Sequence, residues 1–435
     1  MGHISAIHRT PVEIWRMIFT FALRTWLLPD EYSRLVDDLL LFDNGCTSYA
    51  EYKRIEDIRR QLRLVCKLWN AILCDAGIRL TISNFHDLAL PSLPTLSHAM
   101  RVDPPAQNSC TCRKKCPHNP RTWVTLAATP DGSGGSLDSV LKAPGNARVI
   151  LLPRNSQFRN TILDALSYAR RAHSLGCDSS FLREIQAPRL QNLFKRLTHL
   201  SISVLSTIDM TLAPHLPRLR YLQLGLNLRH ALPESGCVPL SKWKFTQLTS
   251  LVLEGFIIEA CHKEILQFGL NHSTFLKNLI LRYHIYCNGY NRSPRIEIPH
   301  LRQFRRLEVL GVDLQALNES VIFEDLSHPS HLSLLLSDCI DLYSKNRDWL
   351  MCVAGQCVRL CTPPVSLFDQ VILLQSWDQV YHHWDAVIGR GMAWRRSFSP
   401  ASTFFEELER QGIRIADRNG VGLQDGDGRK LLERL

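Results

Sequence analysis

No apolar run in this 435-residue sequence approaches the ~18–20 residues that a membrane-spanning helix needs. The opening MGHISAIHRT has no apolar core of the kind a secretory signal carries. Gly2 would suit myristoylation, but Ala6 stands where that motif wants Ser or Thr. The 14 Cys are scattered rather than spaced as a compact disulfide framework, so they are expected as reduced thiols in the cytosol or nucleus. Gly and Pro, 22 each, are too few for a low-complexity chain. Like charges never run to five, and residues 1–80 nearly balance at 11 basic and 10 acidic side chains. The net charge of +10 is therefore thinly spread, and a nucleic-acid partner is not expected. No phosphate-binding loop, nucleophile elbow or paired zinc-binding histidines appear either, because DGSGGS at 131–136 lacks a following Lys-Ser/Thr.

Leucine is abundant instead, 68 of 435 residues. With 45% hydrophobic residues the chain can bury a sizeable core, and its length suits two to four domains. Composition divides it. Residues 1–80 read as helical, with a polar insertion at about 29–50. Residues 81–148 hold eight prolines and DGSGGS, which predicts a linker or long loop. From 149 to 420 short apolar bursts recur, and 421–435, rich in Gly and Asp, reads as a loose tail.

The bursts are periodic. LTHLSI starts at Leu197, LRYLQL at Leu219, LTSLVL at Leu248, LKNLIL at Leu276 and LEVLGV at Leu307, at intervals of 22, 29, 28 and 31. Positions four and six of each hexad fall on one face of a strand, and the first packs where the chain enters it. HKEILQFGL, after the third burst, has the spacing of a return helix. The pattern resembles the leucine-rich repeat. The later Asn or Cys of that repeat is matched only by Asn227; Leu205, Phe256, His284 and Gln315 stand elsewhere. The resemblance covers the strand half of each unit.

The amino terminus carries the most specific signal. Thr10-Pro11-Val12-Glu13 has the form of a capping box with Pro at the first helical position. Ile14, Ile18 and Ala22 follow on one helical line, with Trp15 and Phe19 beside it. A second amphipathic run places Leu62, Val65, Cys66, Trp69, Ile72 and Leu73 at helical spacing. Two short apolar helices must bury their faces on each other, on the repeats or on a partner. The pair PVEIWRMIFTFAL and LRLVCKLWNAI resembles the F-box, particularly its fungal form, through Pro11, Glu13, Ile14, Ile18, Phe19, Leu64, Val65, Cys66 and Trp69. Thr10 stands where the family usually has Leu, and the halves are more widely separated than usual.

That resemblance implies an α+β protein: a small all-α F-box module followed by an irregular α/β leucine-rich-repeat-like solenoid. It implies a non-catalytic substrate-recognition subunit of a Skp–cullin–F-box ubiquitin ligase. Pro11, Ile14, Ile18, Val65 and Trp69 would face a Skp-type adaptor and, through it, a cullin scaffold. The repeats would hold an unidentified protein substrate, with no cofactor and no membrane. Two other readings stay open: a repeat scaffold that recruits no ligase, and a zinc protein using Cys110, Cys112, Cys116 and His118. Those four fall within nine residues and have the ligand types of a structural zinc site, but not a standard spacing. Cys352, Cys357 and Cys361 read as small core residues, and His382, His383 and Asp385, between Tyr381 and Trp384, as non-ligands.

Overall fold

In a computed structural model of the protein, the described residues are 10–22, 58, 61–74, 79–82, 99–102, 149–151, 172–179, 181, 190–204, 214–227, 240–286, 296–298, 301–313, 317, 321–323, 332–337, 347–363, 365–374, 377, 400–417 and 420–425. The chain divides into two compact units, Met1–Ser201 and Ile202–Leu435. The fold is mixed helix and strand, with parallel pairing between sequential strands.

The first unit opens with helices α1 (Val12–Ala22) and α2 (Lys67–Cys74). Strands β1 (Arg79–Ile82), β2 (Ala99–Val102), β3 (Val149–Leu151) and β4 (Ser174–Asp178) then pair side by side, all parallel. β2 lies within the 81–148 stretch whose prolines suggest a linker. A short helix α3 (Gln191–Phe194) precedes β5 (His199–Val204), the strand in which the division between units falls.

The second unit is built on β6 (Tyr221–Asn227), β7 (Ser250–Ile258) and β8 (Asn278–Tyr286), with β9 (Ile296–Ile298) leaving the main sheet to pair with β11 (Val321–Phe323). The sheet continues through β10 (Val309–Asp313), β12 (Leu332–Ser337), β13 (Phe368–Leu373) and β14 (Arg414–Ala416). All fifteen apolar hexad positions, from Leu197 to Val312, are buried. In register, Leu222 stands beside Leu251, then Leu279, Leu310, Leu334, Val371 and Ile415. Period-two alternation gives each strand one leucine face, and from β6 to β14 parallel pairing stacks those faces into one core of the second unit.

The entry to each strand repeats as well. The second and third residues of a hexad both donate N–H to the carbonyl of the second residue of the hexad before: Thr249 and Ser250 to Arg220, Lys277 and Asn278 to Thr249, Glu308 and Val309 to Lys277. One carbonyl thus satisfies two donors that the bend would otherwise strand. Three residues before the first leucine a buried apolar side chain fills the bend, as Phe194, Leu216, Phe245 and Phe304. In the LKNLIL repeat that place is Ser273, and the preceding His272 supplies the filling instead. Its Nδ1–H donates to the Phe268 carbonyl at 2.8 Å, and its Nε2 accepts the Phe245 N–H at 3.0 Å. Both ring nitrogens are used only by the neutral tautomer, and burial lowers the pKa from its ordinary value, against a smaller upward pull from the Phe268 bond.

Helix α4 (Glu259–Asn271) covers HKEILQFGL as the spacing predicts, lays Ile265 and Leu270 beside Leu253, Leu279 and Leu281, and turns Phe268 to Phe245 and His272. The later repeats lengthen because α5 (Arg347–Cys361) and α6 (Pro400–Arg410) are inserted before β13 and β14. Leu423, in the stretch read as tail, is buried, and the Val421 carbonyl accepts the Trp377 indole N–H at 2.8 Å. Residues 421–425 are therefore packed into the second unit.

Candidate functional site

Two places combine exposure with chemistry, one in each unit. In the first, the Pro11 carbonyl accepts the N–H groups of Ile14 and Trp15, so α1 starts one residue later than a Thr10 cap would start it. The run from Leu62 to Leu73 is not one continuous helix. It breaks at Leu64 and Val65, and Cys66 opens α2: its carbonyl accepts the Asn70 N–H at 3.0 Å, and its Sγ accepts the Trp69 N–H at 3.4 Å. The small thiol thus serves as a side-chain cap. Arg63 Nε, donating to Asn70 Oδ1 at 2.8 Å, ties the break to the helix.

Aromatic rings join α1 to α2. The Trp69 ring centroid lies 4.7 Å from Trp15 and 5.1 Å from Phe19, the latter edge-on, while Trp15 and Phe19 stack at 5.8 Å one helical turn apart. Such geometry suits the ring quadrupoles. Trp69 is half-buried and packs inward, unlike the other four residues expected to face an adaptor. Pro11 is exposed, and Ile14 and Ile18 are 43% exposed on a neighbouring line of α1. Val65 is 50% and Leu64 86% exposed in the break before α2. Four large apolar side chains thus face solvent around a small aromatic core.

In the second unit, the sheet face opposite the leucines carries a polar row across β6, β7 and β8. Tyr221 Oη donates to Gln223 Oε1 at 3.1 Å, and Gln223 Nε2 donates to Glu254 Oε1 at 2.8 Å. Glu254 Oε2 lies 3.9 Å from Arg282 Nη1. Tyr221 and Gln223 are buried, while the Glu254 and Arg282 side chains are 32% and 16% exposed. Val252 and Ile280, two residues back on the same face, are fully buried. Hexad reasoning fixes leucines and misses this row. Its signal is nonetheless present, since Glu254 and Arg282 each directly follow the sixth position of successive hexads. Equivalent positions of adjacent repeats become cross-strand neighbours, as the register of Glu254 beside Arg282 shows.

Cys110, Cys112, Cys116 and His118 lie outside the described residues, as do His382, His383 and Asp385. Cys357 is fully buried and Cys352 exposed on α5. The Cys361 thiol is pushed up to about 12 by burial and by the nearby Asp369 carboxylate, which leaves it protonated and unreactive at neutral pH. Among the described residues no group of three or more His, Cys, Asp or Glu is placed to hold a metal ion, and no helix is long and apolar enough to cross a membrane. No known protein family, curated protein or solved structure matches the chain.

Proposed function

We propose that this protein is the substrate-recognition subunit of a Skp–cullin–F-box ubiquitin ligase, acting in the cytosol or nucleus. In this reading α1 and the break before α2 bind a Skp-type adaptor, which connects to the cullin, and the strand array holds the target protein. The observation that carries it is the exposure of Ile14, Ile18, Leu64 and Val65 around a closed aromatic core. Large apolar side chains clustered at a surface mark an interaction site, and these four belong to the two segments that resemble the F-box. The protein needs no catalytic group of its own, because its contribution is effective concentration: it keeps a target beside the loaded transfer enzyme.

The test is binding of the intact chain to purified Skp-type adaptor, with Ile18→Asp and Val65→Asp beside the wild type. Each variant puts an unpaired carboxylate into a contact that must lose its water, and affinity should fall at least about 30-fold. Circular dichroism should be unchanged, since Ile18 stands outside the Trp15, Phe19 and Trp69 cluster. Adaptor binding that is absent in the wild type, or undiminished in both folded variants, refutes the reading.

A further inference from the structure

The Arg282 guanidinium is the most unusual group on the strand array. Its side chain is 84% withdrawn from water (100 less the 16% exposed), yet among the described residues it makes no hydrogen bond. Nε is sealed without an acceptor. Among the described residues its counter-charge is Glu254, which stands at 3.9 Å from Nη1, beyond hydrogen-bond length. A guanidinium has five donors in a planar fork, and withdrawing them unpaired is costly. What remains open to an incoming group is the Nη end of the fork.

Glu254 does not close this gap because it is held back. Gln223 Nε2 binds Glu254 Oε1 at 2.8 Å, and Gln223 is itself oriented by the Tyr221 hydroxyl at 3.1 Å. Both anchors are buried, so the chain has little freedom. On the far side of Glu254, Gly225 contributes no side chain; a Cβ there would reach within 3.6 Å of Oε1. The row therefore presents a cation whose own carboxylate is tethered just out of reach, beside the buried Val252 and Ile280.

We infer that Arg282 is the specificity anchor of the target-binding face, and that it takes the carboxylate of an Asp or Glu side chain on the bound protein. A carboxylate matches the fork with two parallel, charge-assisted hydrogen bonds. A phosphate is disfavoured, since its second negative charge would face Glu254 at the same site. An amide or a main-chain carbonyl would bring only one oxygen and no charge. This assignment rests on the reading of the strand array as the target-binding half, and the tethered Glu254 adds selectivity: a ligand must outcompete it.

The test presents the intact chain with three randomised decapeptide libraries whose fixed central residue is Glu, Gln or phosphoserine. The wild type should retain the Glu set at least about tenfold over the Gln set, the margin of a two-point charged contact. Arg282→Ala should abolish that margin, and Arg282→Lys should lose most of it, because an ammonium keeps the charge but not the fork. Glu254→Gln should raise retention of the Glu set by removing the competitor, and Gln223→Leu should lower it by releasing Glu254 onto Arg282. Equal retention of the Glu and Gln sets, preference for phosphoserine, or an undiminished margin in either Arg282 variant overturns the inference. Thermal unfolding of each variant shows whether it is folded, and if Arg282→Ala is not, Arg282→Lys decides. Adaptor capture on the same preparations reports separately on the ligase reading, which can fail while the Glu preference stands.

Discussion

Replacing Leu251 with Ala puts the stacked-strand core to a quantitative trial. Leu251 is fully buried at the fourth position of β7, in register with Leu222 on one side and Leu279 on the other. The change removes three carbons, worth roughly 2.4 kcal/mol at ~0.8 kcal/mol per buried carbon. It also leaves a cavity that parallel neighbours paired on both sides cannot easily collapse, and measured Leu→Ala losses at such sites run about 2–5 kcal/mol. Leu64→Ala is the natural control: at 86% exposure its loss should stay within about 0.5 kcal/mol. Urea unfolding followed by tryptophan fluorescence reads both, because Trp243 and Trp377 are buried in the same unit as Leu251, and Trp15 and Trp69 lie in the unit of Leu64. A Leu251→Ala loss below about 0.5 kcal/mol with an unchanged slope would refute the packed ladder.

Two glycines should respond in opposite directions. Gly255, at φ +103° in β7, would place a Cβ 2.1 Å from the Leu226 carbonyl oxygen, so Gly255→Ala should cost at least about 2 kcal/mol by chemical denaturation. Gly355 is exposed on α5 with nothing within 4 Å of a Cβ, so Gly355→Ala should stabilise by about 0.5–1 kcal/mol in the same assay. His272 predicts a pH dependence. Its folded pKa is lowered by burial, so below an unfolded value of about 6.5 the unfolded chain takes up the proton first. The His272 contribution is then complete above that pH and is lost as pH falls toward the folded pKa. A His272→Phe variant should flatten stability against pH below about 6.5, and an unaltered slope there would contradict the neutral tautomer.

The sequence alone determined the leucine ladder, because burial on a strand face demands an apolar residue at every second position. Five hexads from Leu197 to Val312 therefore mark the strands that form. The return helix was legible for the same reason, its apolar residues falling at helical spacing, and so were Trp15 and Phe19 as partners on one line of α1. A second signal lay unread beside the first: Phe194, Leu216, Phe245 and Phe304, each three residues before a hexad, fill the bends. Strand β12 was hidden because His331 stands where its hexad would open on Leu, and β13 and β14 because α5 and α6 lengthen their intervals.

Only the tertiary structure decided which apolar residues are core and which are offered outward. Trp69 and Ile18 look alike as members of amphipathic runs, yet Trp69 packs between Trp15 and Phe19 while Ile18 stays exposed. The choice depends on the break at Leu64 and Val65, after which Cys66 caps α2, and no periodicity encodes that break. The Tyr221–Gln223–Glu254–Arg282 row is likewise tertiary. Its members span 62 positions of sequence (282 − 221 + 1) and meet only because three strands align in register. Burial chemistry is written residue by residue, whereas a binding surface is a relation between distant residues that pairing geometry alone brings together.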